Sequence, residues 1–176
     1  MKFHVAKSLG SLARLFSLAL LAACSASAPN YTAVLTNPDR PANERELDAA
    51  RKPHEVLAFY GVKSGDKVAD LWAGRGYYTA ILSEIVGPGG LVYSANPTVR
   101  DEINQRWRAA KFANVRVADG PFDKLALPQD GSLDFVIIHL NYHDVAPEVR
   151  GAMNRRVLAA LKRGGAGRVL SIDQTG

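Results

Sequence analysis

The apolar positions of the chain follow two patterns, short continuous runs and longer stretches with helical spacing. Continuous runs predict strands, and an unbroken β-branched run is typical of a parallel strand buried on both faces. Five runs of the first kind are present, at residues 68–71, 91–95, 115–118, 133–140 and 168–172. Between them lie amphipathic stretches, as where Tyr78, Ile81, Leu82 and Ile85 share one helical face. This alternation predicts an α/β fold with a doubly wound, mostly parallel sheet.

The segment before the first strand is predicted to be helical in two pieces, over residues 41–60. Asn43 is placed to cap the first piece, and acidic residues follow it in the first turn, where the helix dipole favours them. Pro53 restarts the helix, and Gly61 ends it.

The sequence after the first strand predicts a tight glycine turn. Asp70 is followed by Gly74 and Gly76, and the helical spacing begins directly afterwards. A turn this sharp needs backbone conformations that a Cβ disfavours, and a side chain there would keep a ligand away from the backbone. Asp70 therefore lies where an open α/β sheet binds its ligands, at the carboxyl end of a strand.

The N-terminal residues 1–23 are predicted to be a secretory signal. The first 14 residues are basic, and the apolar stretch at 15–23 is about half of the ~20 residues that a spanning helix needs. The stretch ends at Cys24, the only cysteine of the chain, and Leu21-Ala22-Ala23-Cys24 resembles a bacterial lipoprotein box. This resemblance implies lipidation of Cys24 and a lipid-anchored protein on the periplasmic side of a bacterial envelope membrane. An ordinary signal peptide that leaves a free thiol is the alternative.

The remaining chain is predicted to form a tether at residues 24–38 and a single domain at residues 39–176. The tether is rich in small and polar residues, and 176 residues with 47% apolar content provide one substantial core. The net charge of +5 falls to +2 once Lys2, Lys7 and Arg14 of the signal are removed. This weak balance, without a run of basic residues, gives no reason to expect a nucleic-acid partner.

Polar residues follow four of the predicted strands. They are the loop from Asp70 to Tyr77, Asn96, the pair Asp119-Gly120, and the segment from His139 to Asp144. Because the carboxyl ends of parallel strands meet at one edge of the sheet, these loops are expected to converge on one crevice.

From about residue 40 onward, the order of these loops resembles the class I S-adenosylmethionine-dependent methyltransferases. Asp70-x-x-x-Gly74-x-Gly76 looks like their first motif, and residues 161–165 are similar to their Leu-Lys-Pro-Gly-Gly turn. Trp72, the tyrosine pair and the Asn-Tyr-His-Asp loop look most like an exported bacterial group. The resemblance implies S-adenosylmethionine as cofactor, with Asn96 at the ribose and Asp119 beside the adenine. The cofactor-binding residues that it implies are Asp70, Gly74, Gly76, Tyr77, Asn96, Asp119, Gly120 and His139.

The chain departs from the family pattern at two places. Asn96 stands where the family usually has an acid, and an amide lacks the charge that strengthens a carboxylate hydrogen bond. The family's sheet continues past strand five into an antiparallel pair, whereas only residues 173–176 follow here. The domain is therefore expected to be C-terminally incomplete.

Methyl transfer requires alignment of a nucleophile with the methyl group and needs a base only when that nucleophile loses a proton. The candidate catalytic residues are His143, Asp144 and Tyr142, and Asn141 is a further candidate for positioning the substrate. The alternative is a polar loop that caps the next helix. His139 and His143 are four residues apart, but that spacing converges on a metal only within a helix, so no metal site is predicted.

Two other functions remain open for this crevice. A nicotinamide enzyme on the related dinucleotide fold would have a third glycine where Thr79 stands, although Arg100 suits the 2′-phosphate of NADP. The second alternative is an envelope-tethered module that binds a nucleoside or S-adenosylmethionine without catalysis. The methyl acceptor, a small molecule or another compound, is not specified by the sequence.

Overall fold

The computed structural model describes residues 30–163 and the strand at 169–172. Within this part of the chain, a five-stranded sheet is parallel throughout, in the order β3-β2-β1-β4-β5. The strands are β1 (Lys67–Leu71), β2 (Leu91–Ala95), β3 (Val115–Val117), β4 (Phe135–His139) and β5 (Val169–Ile172). The predicted strands are thus confirmed, with ends that shift by a few residues.

Helices and 3-10 turns connect the strands and cover both faces of the sheet. The helices are α1 (Thr32–Leu35), α2 (Ala42–Arg45), α3 (Asp48–Arg51), α4 (Pro53–Tyr60), α5 (Tyr77–Val86), α6 (Asp101–Asn104) and α7 (Pro147–Ala160). The 3-10 turns are Gln105–Arg108, Ala110–Phe112 and Tyr142–Asp144.

The core is divided into two hydrophobic clusters by the sheet. Successive residues of a strand point to opposite faces, so Val68 belongs to one cluster and Ala69 to the other. The first cluster contains α4 and α5 residues such as Leu57 and Leu82, and the second contains α7 residues such as Met153. The predicted doubly wound, Rossmann-like α/β fold is therefore confirmed.

The strand order reverses direction at β1, which lies between β2 and β4. Leu71 of β1 is in register with Ala95 of β2 on one side and with Ile138 of β4 on the other. The carboxyl ends of β1 and β4 therefore lie side by side at a topological switch point, which is where open α/β sheets bind their ligands.

The N-terminal part differs from its sequence prediction in two respects. Residues 42–60 form three short helices instead of two, and Asn43 lies inside α2, whose N-cap is Pro41 without a side-chain hydrogen bond. Tyr31 is 1% exposed, and its hydroxyl donates to the Val62 carbonyl at 2.8 Å. Residues 31–35 are thus packed on the domain rather than part of a tether that extends to residue 38.

The spacing of Val99, Ile103, Trp107 and Ala110 predicts one amphipathic helix over residues 99–110, and the structure shows this segment broken. It consists of α6 followed by two 3-10 turns, and Ala109 between these turns has an extended backbone. Ile103 and Trp107 are buried, whereas Val99 is 67% exposed. The apolar spacing therefore indicates that two separate side chains, Ile103 and Trp107, are buried, and not that the segment is one continuous helix.

Three groups of predictions lie outside the described residues. These are the signal at residues 1–23 with Cys24, the Gly164-Gly165 end of the turn predicted at 161–165, and the C-terminal end at 173–176. Among the residues that are described, no helix has the length and apolar character needed to cross a membrane.

Candidate functional site

A cavity of about 540 Å³ opens where β1 and β4 end. This volume lies within the range of small-molecule sites, roughly 300–1,000 Å³. The segments after the two strands form one side of it, with Asp70, Trp72, Ala73, Gly74, Arg75, His139, Leu140 and Asn141. Tyr77 and Tyr78 of α5 and Arg106 complete the walls, and residues of α2 and α3 and their flanks cover it. We call this covering set the roof: Pro41, Asn43, Glu44, Leu47 and Arg51.

The two glycines of the loop after β1 have different physical roles. Both have a positive φ, +60° at Gly74 and +84° at Gly76. A Cβ at Gly76 would lie 2.2 Å from the Trp107 ring, whereas a Cβ at Gly74 would meet nothing within 4 Å. Gly76 is therefore required for packing, and Gly74 lies at the cavity and donates its N–H to the Asn96 side chain at 2.8 Å.

Asp70 is a buried carboxyl group in the floor of the cavity. It is 3% exposed, and the hydroxyl of Thr79 donates to its Oδ2 at 2.6 Å. Burial raises the pKa of Asp70 to about 6. Thr79, which stands where a dinucleotide fold has its third glycine, thus serves to hold this carboxyl group. The arrangement suits a cationic group of a ligand, because a cation compensates the cost of the buried charge.

Tyr77 is held in the wall by a chain of polar contacts from α3. Its hydroxyl donates to Asp48 at 2.5 Å, and Asp48 accepts two hydrogen bonds from the Arg40 guanidinium at 2.8 Å. The guanidinium of Arg51 lies over the Tyr77 ring, 4.6 Å from its centroid. Burial and the neighbouring Asp48 raise the pKa of Tyr77, so its hydroxyl stays protonated at neutral pH. These contacts fix one end of the roof.

A second ion pair joins the roof to the glycine loop. Glu44 is 8% exposed and accepts a hydrogen bond from Arg106 at 2.5 Å, and the same guanidinium donates to the Arg75 carbonyl at 3.1 Å. Arg106 therefore links α2, the glycine loop and the 3-10 turn that carries it.

His139 at the end of β4 has unusual surroundings. Both ring nitrogens are buried and lack a hydrogen-bond partner in the described structure. Its ring meets the Tyr78 ring at 4.7 Å between centroids. Burial, with a smaller effect of Arg51, lowers the pKa of His139 to about 4, so the imidazole is neutral at pH 7. An unpaired buried polar group of this kind is satisfied when a ligand binds beside it.

Two non-glycine residues with positive φ border the cavity. Trp72 follows β1 with φ +56°, and Leu140 follows β4 with φ +64°. Such conformations cost about 1–3 kcal/mol each and tend to occur at functional sites. Both residues line the cavity directly after the two strands that meet at the switch point.

Four residues that the resemblance assigned to the cofactor do not line this cavity, namely Gly76, whose packing is described above, and Asn96, Asp119 and Gly120. Asn96 is 1% exposed, its Oδ1 accepts from Gly74, and its backbone N–H donates to Asp119 Oδ1 at 2.8 Å. Asp119 also accepts from Asn104 at 2.8 Å, and Gly120 donates its N–H to the Asn96 carbonyl at 2.9 Å. The segment that contains Trp107 packs over this side of the loop. The roles of these residues at ribose and adenine remain predictions.

The candidate catalytic residues also lie outside the cavity. Tyr142, His143 and Asp144 form a 3-10 turn, with His143 and Asp144 half-exposed and His143 Nε2 3.3 Å from Asp144 Oδ1. The Tyr142 hydroxyl accepts from Asn154 at 3.0 Å. Only Asn141 of this loop reaches the cavity, so the catalytic role of the other three remains a prediction.

The sequence prediction missed the roof and Arg106. The roof lies in the segment that the sequence predicts as packing helices, and Arg106 lies on the polar face of the helix predicted over residues 99–110, so their relation to the cavity is purely tertiary. The only local signal was the concentration of charge in residues 39–52, which the helix pattern already explains. Among the residues described, no group of three or more His, Cys, Asp or Glu side chains is placed to hold a metal ion.

The strand order, the glycine loop and the cavity at the switch point define a class of fold. The chain has the Rossmann-like fold of the S-adenosylmethionine-dependent methyltransferases. A solved SAM-dependent methyltransferase from Aquifex aeolicus matches it with a TM-score of 0.61, over 73% of this chain and 66% of that chain, at 23% identity.

Curated relatives share the sequence over part of its length. The protein-L-isoaspartate O-methyltransferase of Ignicoccus hospitalis is 33% identical over 79 residues, which are 44% of this chain and 37% of that protein. The demethylmenaquinone methyltransferase of Staphylococcus aureus is 32% identical over 111 residues, 62% of this chain and 44% of that protein. The chain thus spans less than half the length of either relative. No protein-family model matches it.

Proposed function

We propose that the protein is an S-adenosylmethionine-dependent methyltransferase. The observation that carries the proposal is the cavity at the switch point between β1 and β4, with the buried Asp70 in its floor. The named methyltransferases among the relatives and the methyltransferase fold support the same function.

The residues of the cavity suit the charges of this cofactor. Asp70 would pair with its cationic part, and Arg75 on the glycine loop provides a cation for its carboxylate. Gly74 and Tyr77 form the adjoining wall, and the roof lines the opposite side of the cavity. When bound, the cofactor supplies a methyl group activated on a sulfonium, and in-line displacement to an acceptor then needs mainly alignment and exclusion of water.

Calorimetric titration of S-adenosylmethionine into the full chain tests the proposal. We expect saturable binding that weakens at least tenfold in Asp70→Asn, because the variant lacks the carboxylate that faces the cation. Asp66→Asn is the matched control. Asp66 is also a buried acid, but it directly precedes the first residue of β1 and does not line the cavity. Absence of binding to the folded wild-type protein, or equal weakening in both variants, would contradict the cofactor assignment.

A non-catalytic binding module is the second candidate function. It is favoured by the position of Tyr142, His143 and Asp144 outside the cavity. The two functions differ in turnover. Production of S-adenosylhomocysteine by the wild-type protein, when an extract of small molecules is supplied as a mixture of acceptors, supports the enzyme, and tight binding without any product supports the module.

The proposed location rests on the sequence of the first 24 residues. Export to the periplasmic side and lipidation of Cys24 predict that the mature protein carries fatty acid and fractionates with a bacterial membrane. Metabolic labelling with radioactive palmitate in a bacterial host measures this directly. We expect label in the wild-type protein and none in Cys24→Ser, and equal labelling of both would rule out Cys24 as the attachment site.

A further inference from the structure

A second, smaller cavity adjoins the main cavity and shares two lining residues with it. It has a volume of about 240 Å³, and Arg51 and His139 line both cavities. The rest of its lining is Ala50 of α3, Lys52 between the helices, and Glu55, Val56 and Phe59 of α4. We call it the α4 crevice. Because two side chains form a shared wall, a molecule in this crevice lies next to a ligand of the main cavity.

The apolar part of the α4 crevice is aromatic and solvent-accessible. Phe59 is 54% exposed, and Val56, one turn earlier on α4, is buried beside it. A large aromatic side chain offers a flat face on which another ring can pack, and such contacts are worth about 0.5–1.5 kcal/mol beyond the area they bury. The crevice therefore suits a small, flat, apolar group.

The charge of the crevice adds a second requirement. Arg40 and Arg106 near the main cavity are paired with Asp48 and Glu44, but the Arg51 guanidinium has no ion pair among the described residues. Its stacking on the Tyr77 ring holds it in place. Lys52 adds a second cation and Glu55 one acid, so the lining is positive on balance. A guanidinium held in this way is pre-organised for a carboxylate.

His139 supplies the third feature, in the wall that the cavities share. Its two ring nitrogens are buried without a partner. An unsatisfied buried polar group costs about 1–3 kcal/mol, and an O–H or N–H group of a ligand that donates to the imidazole removes this cost. A ligand that spans from Phe59 to His139 would therefore present its polar group toward the main cavity.

From these observations we infer that the α4 crevice is the acceptor pocket and takes a small aromatic acid. The ring of the acceptor packs on Phe59 and Val56, and its anionic group pairs with Arg51 and Lys52. Its nucleophilic O–H or N–H group donates to His139 and faces the cofactor. This inference rests on the proposed function, because a methyl acceptor is needed here only if the main cavity holds the methyl donor.

Binding of three probes to the full chain tests this inference. The protein is first saturated with S-adenosylhomocysteine, then titrated with benzoate, benzamide or acetate while ligand-observed NMR follows the bound fraction. Benzamide matches the ring and shape of benzoate without its charge, and acetate has the charge without the ring. We expect benzoate to bind at least tenfold more tightly than either, with S-adenosylhomocysteine still bound.

Two variants and a matched control locate the probe. Phe59→Ser should weaken benzoate at least tenfold and leave the affinity for S-adenosylhomocysteine within twofold, because Phe59 does not line the main cavity. Arg51→Gln should abolish the preference for benzoate over benzamide. Leu158→Ser replaces a residue of α7 that is 67% exposed and should change nothing.

The outcomes separate this inference from the proposed function. If S-adenosylhomocysteine does not bind the folded protein, the proposed function fails and the acceptor pocket fails with it. If it binds but benzoate does not, as when a segment of the chain itself fills the crevice, only the acceptor pocket is overturned. Competition between benzoate and S-adenosylhomocysteine, or unchanged benzoate binding in Phe59→Ser, overturns it as well.

Discussion

Asp70 shows how a single buried acid exchanges stability for a binding site. Its carboxyl group has one side-chain donor, the Thr79 hydroxyl, and burial opposes its ionisation. At neutral pH it is therefore charged at a cost to the fold. A ligand that brings a cation to it recovers this cost, so the residue favours binding at the expense of the unliganded protein.

The first prediction follows from the sign of this pKa shift. Because the pKa of Asp70 is about 6 when folded and 3.8 ordinarily, the folded state binds its proton more tightly than the unfolded state. The contribution of Asp70 to the free energy of unfolding therefore falls as pH rises from about 4 to about 6. At 1.36 kcal/mol per pKa unit, we expect Asp70→Asn to be more stable than wild type by about 3 kcal/mol at pH 7 and by almost nothing at pH 4.

Urea denaturation of both proteins between pH 4 and pH 8 measures this difference. A difference in unfolding free energy that does not change with pH, or a less stable variant at pH 7, would contradict the assignment of a raised pKa. Together with the loss of cofactor binding in the same variant, a stabilised Asp70→Asn protein would also exclude unfolding as the cause of that loss.

Gly76 gives a second prediction at the scale of one residue. Gly76→Ala forces a Cβ against the Trp107 ring at an unfavourable φ, and we expect it to destabilise the protein by about 2–5 kcal/mol. Gly65→Ala is the matched control, because Gly65 has φ +86° but no atom within 4 Å of the added Cβ. It should cost only about 1–2 kcal/mol. Equal losses in chemical denaturation would show that the Trp107 contact is not what requires glycine.

At the scale of elements, the roof is attached to the domain by a small number of polar contacts. The short helices α2 and α3 have four residues each, which is too few to be stable by themselves. Their position depends on Glu44 with Arg106 and on Asp48 with Arg40 and Tyr77. The shape of the cavity therefore depends on ion pairs rather than on helix packing.

A double-mutant cycle on Glu44 and Arg106 tests this dependence. Glu44→Gln and Arg106→Gln should each destabilise the protein by about 1–3 kcal/mol, since each leaves a largely buried charge without its partner. The double variant should lose at least 0.5 kcal/mol less than the sum. Additive losses in urea denaturation would mean that the two side chains do not act as a pair, and Arg100→Gln serves as an exposed control.

The strands were predictable from the sequence because they are buried on both faces. The run Val136-Ile137-Ile138 has no exposed side, so its pattern leaves little choice of structure. The helices before β1 and after β2 were predicted less well. Their apolar residues, such as Trp107, mark separate points of contact with the sheet, and a break between two such points does not alter the spacing.

At the scale of the whole molecule, the sequence predicted the site residues that are close together in the chain and missed those that come from distant segments. Asp70 near the end of β1 lies within eight residues of sequence from Gly74 and Tyr77, so one motif brings the three together. Arg51 reaches the same cavity from a separate segment, which no local pattern records. For Asn96, the sequence predicted the position but not the direction of the side chain. Its position at a strand end was predicted, but its side chain is buried against Gly74.

The burial of Tyr31 limits how far the domain can lie from Cys24. Its hydroxyl bond to Val62 anchors the chain on the domain seven residue steps after Cys24. A fully extended backbone covers about 3.6 Å per residue, so the segment between Cys24 and Tyr31 spans at most roughly 25 Å. If Cys24 carries lipid, the domain is confined to a thin layer beside the bilayer. Partners dissolved in that bilayer would then meet it by two-dimensional diffusion, and their surface density would set the encounter rate.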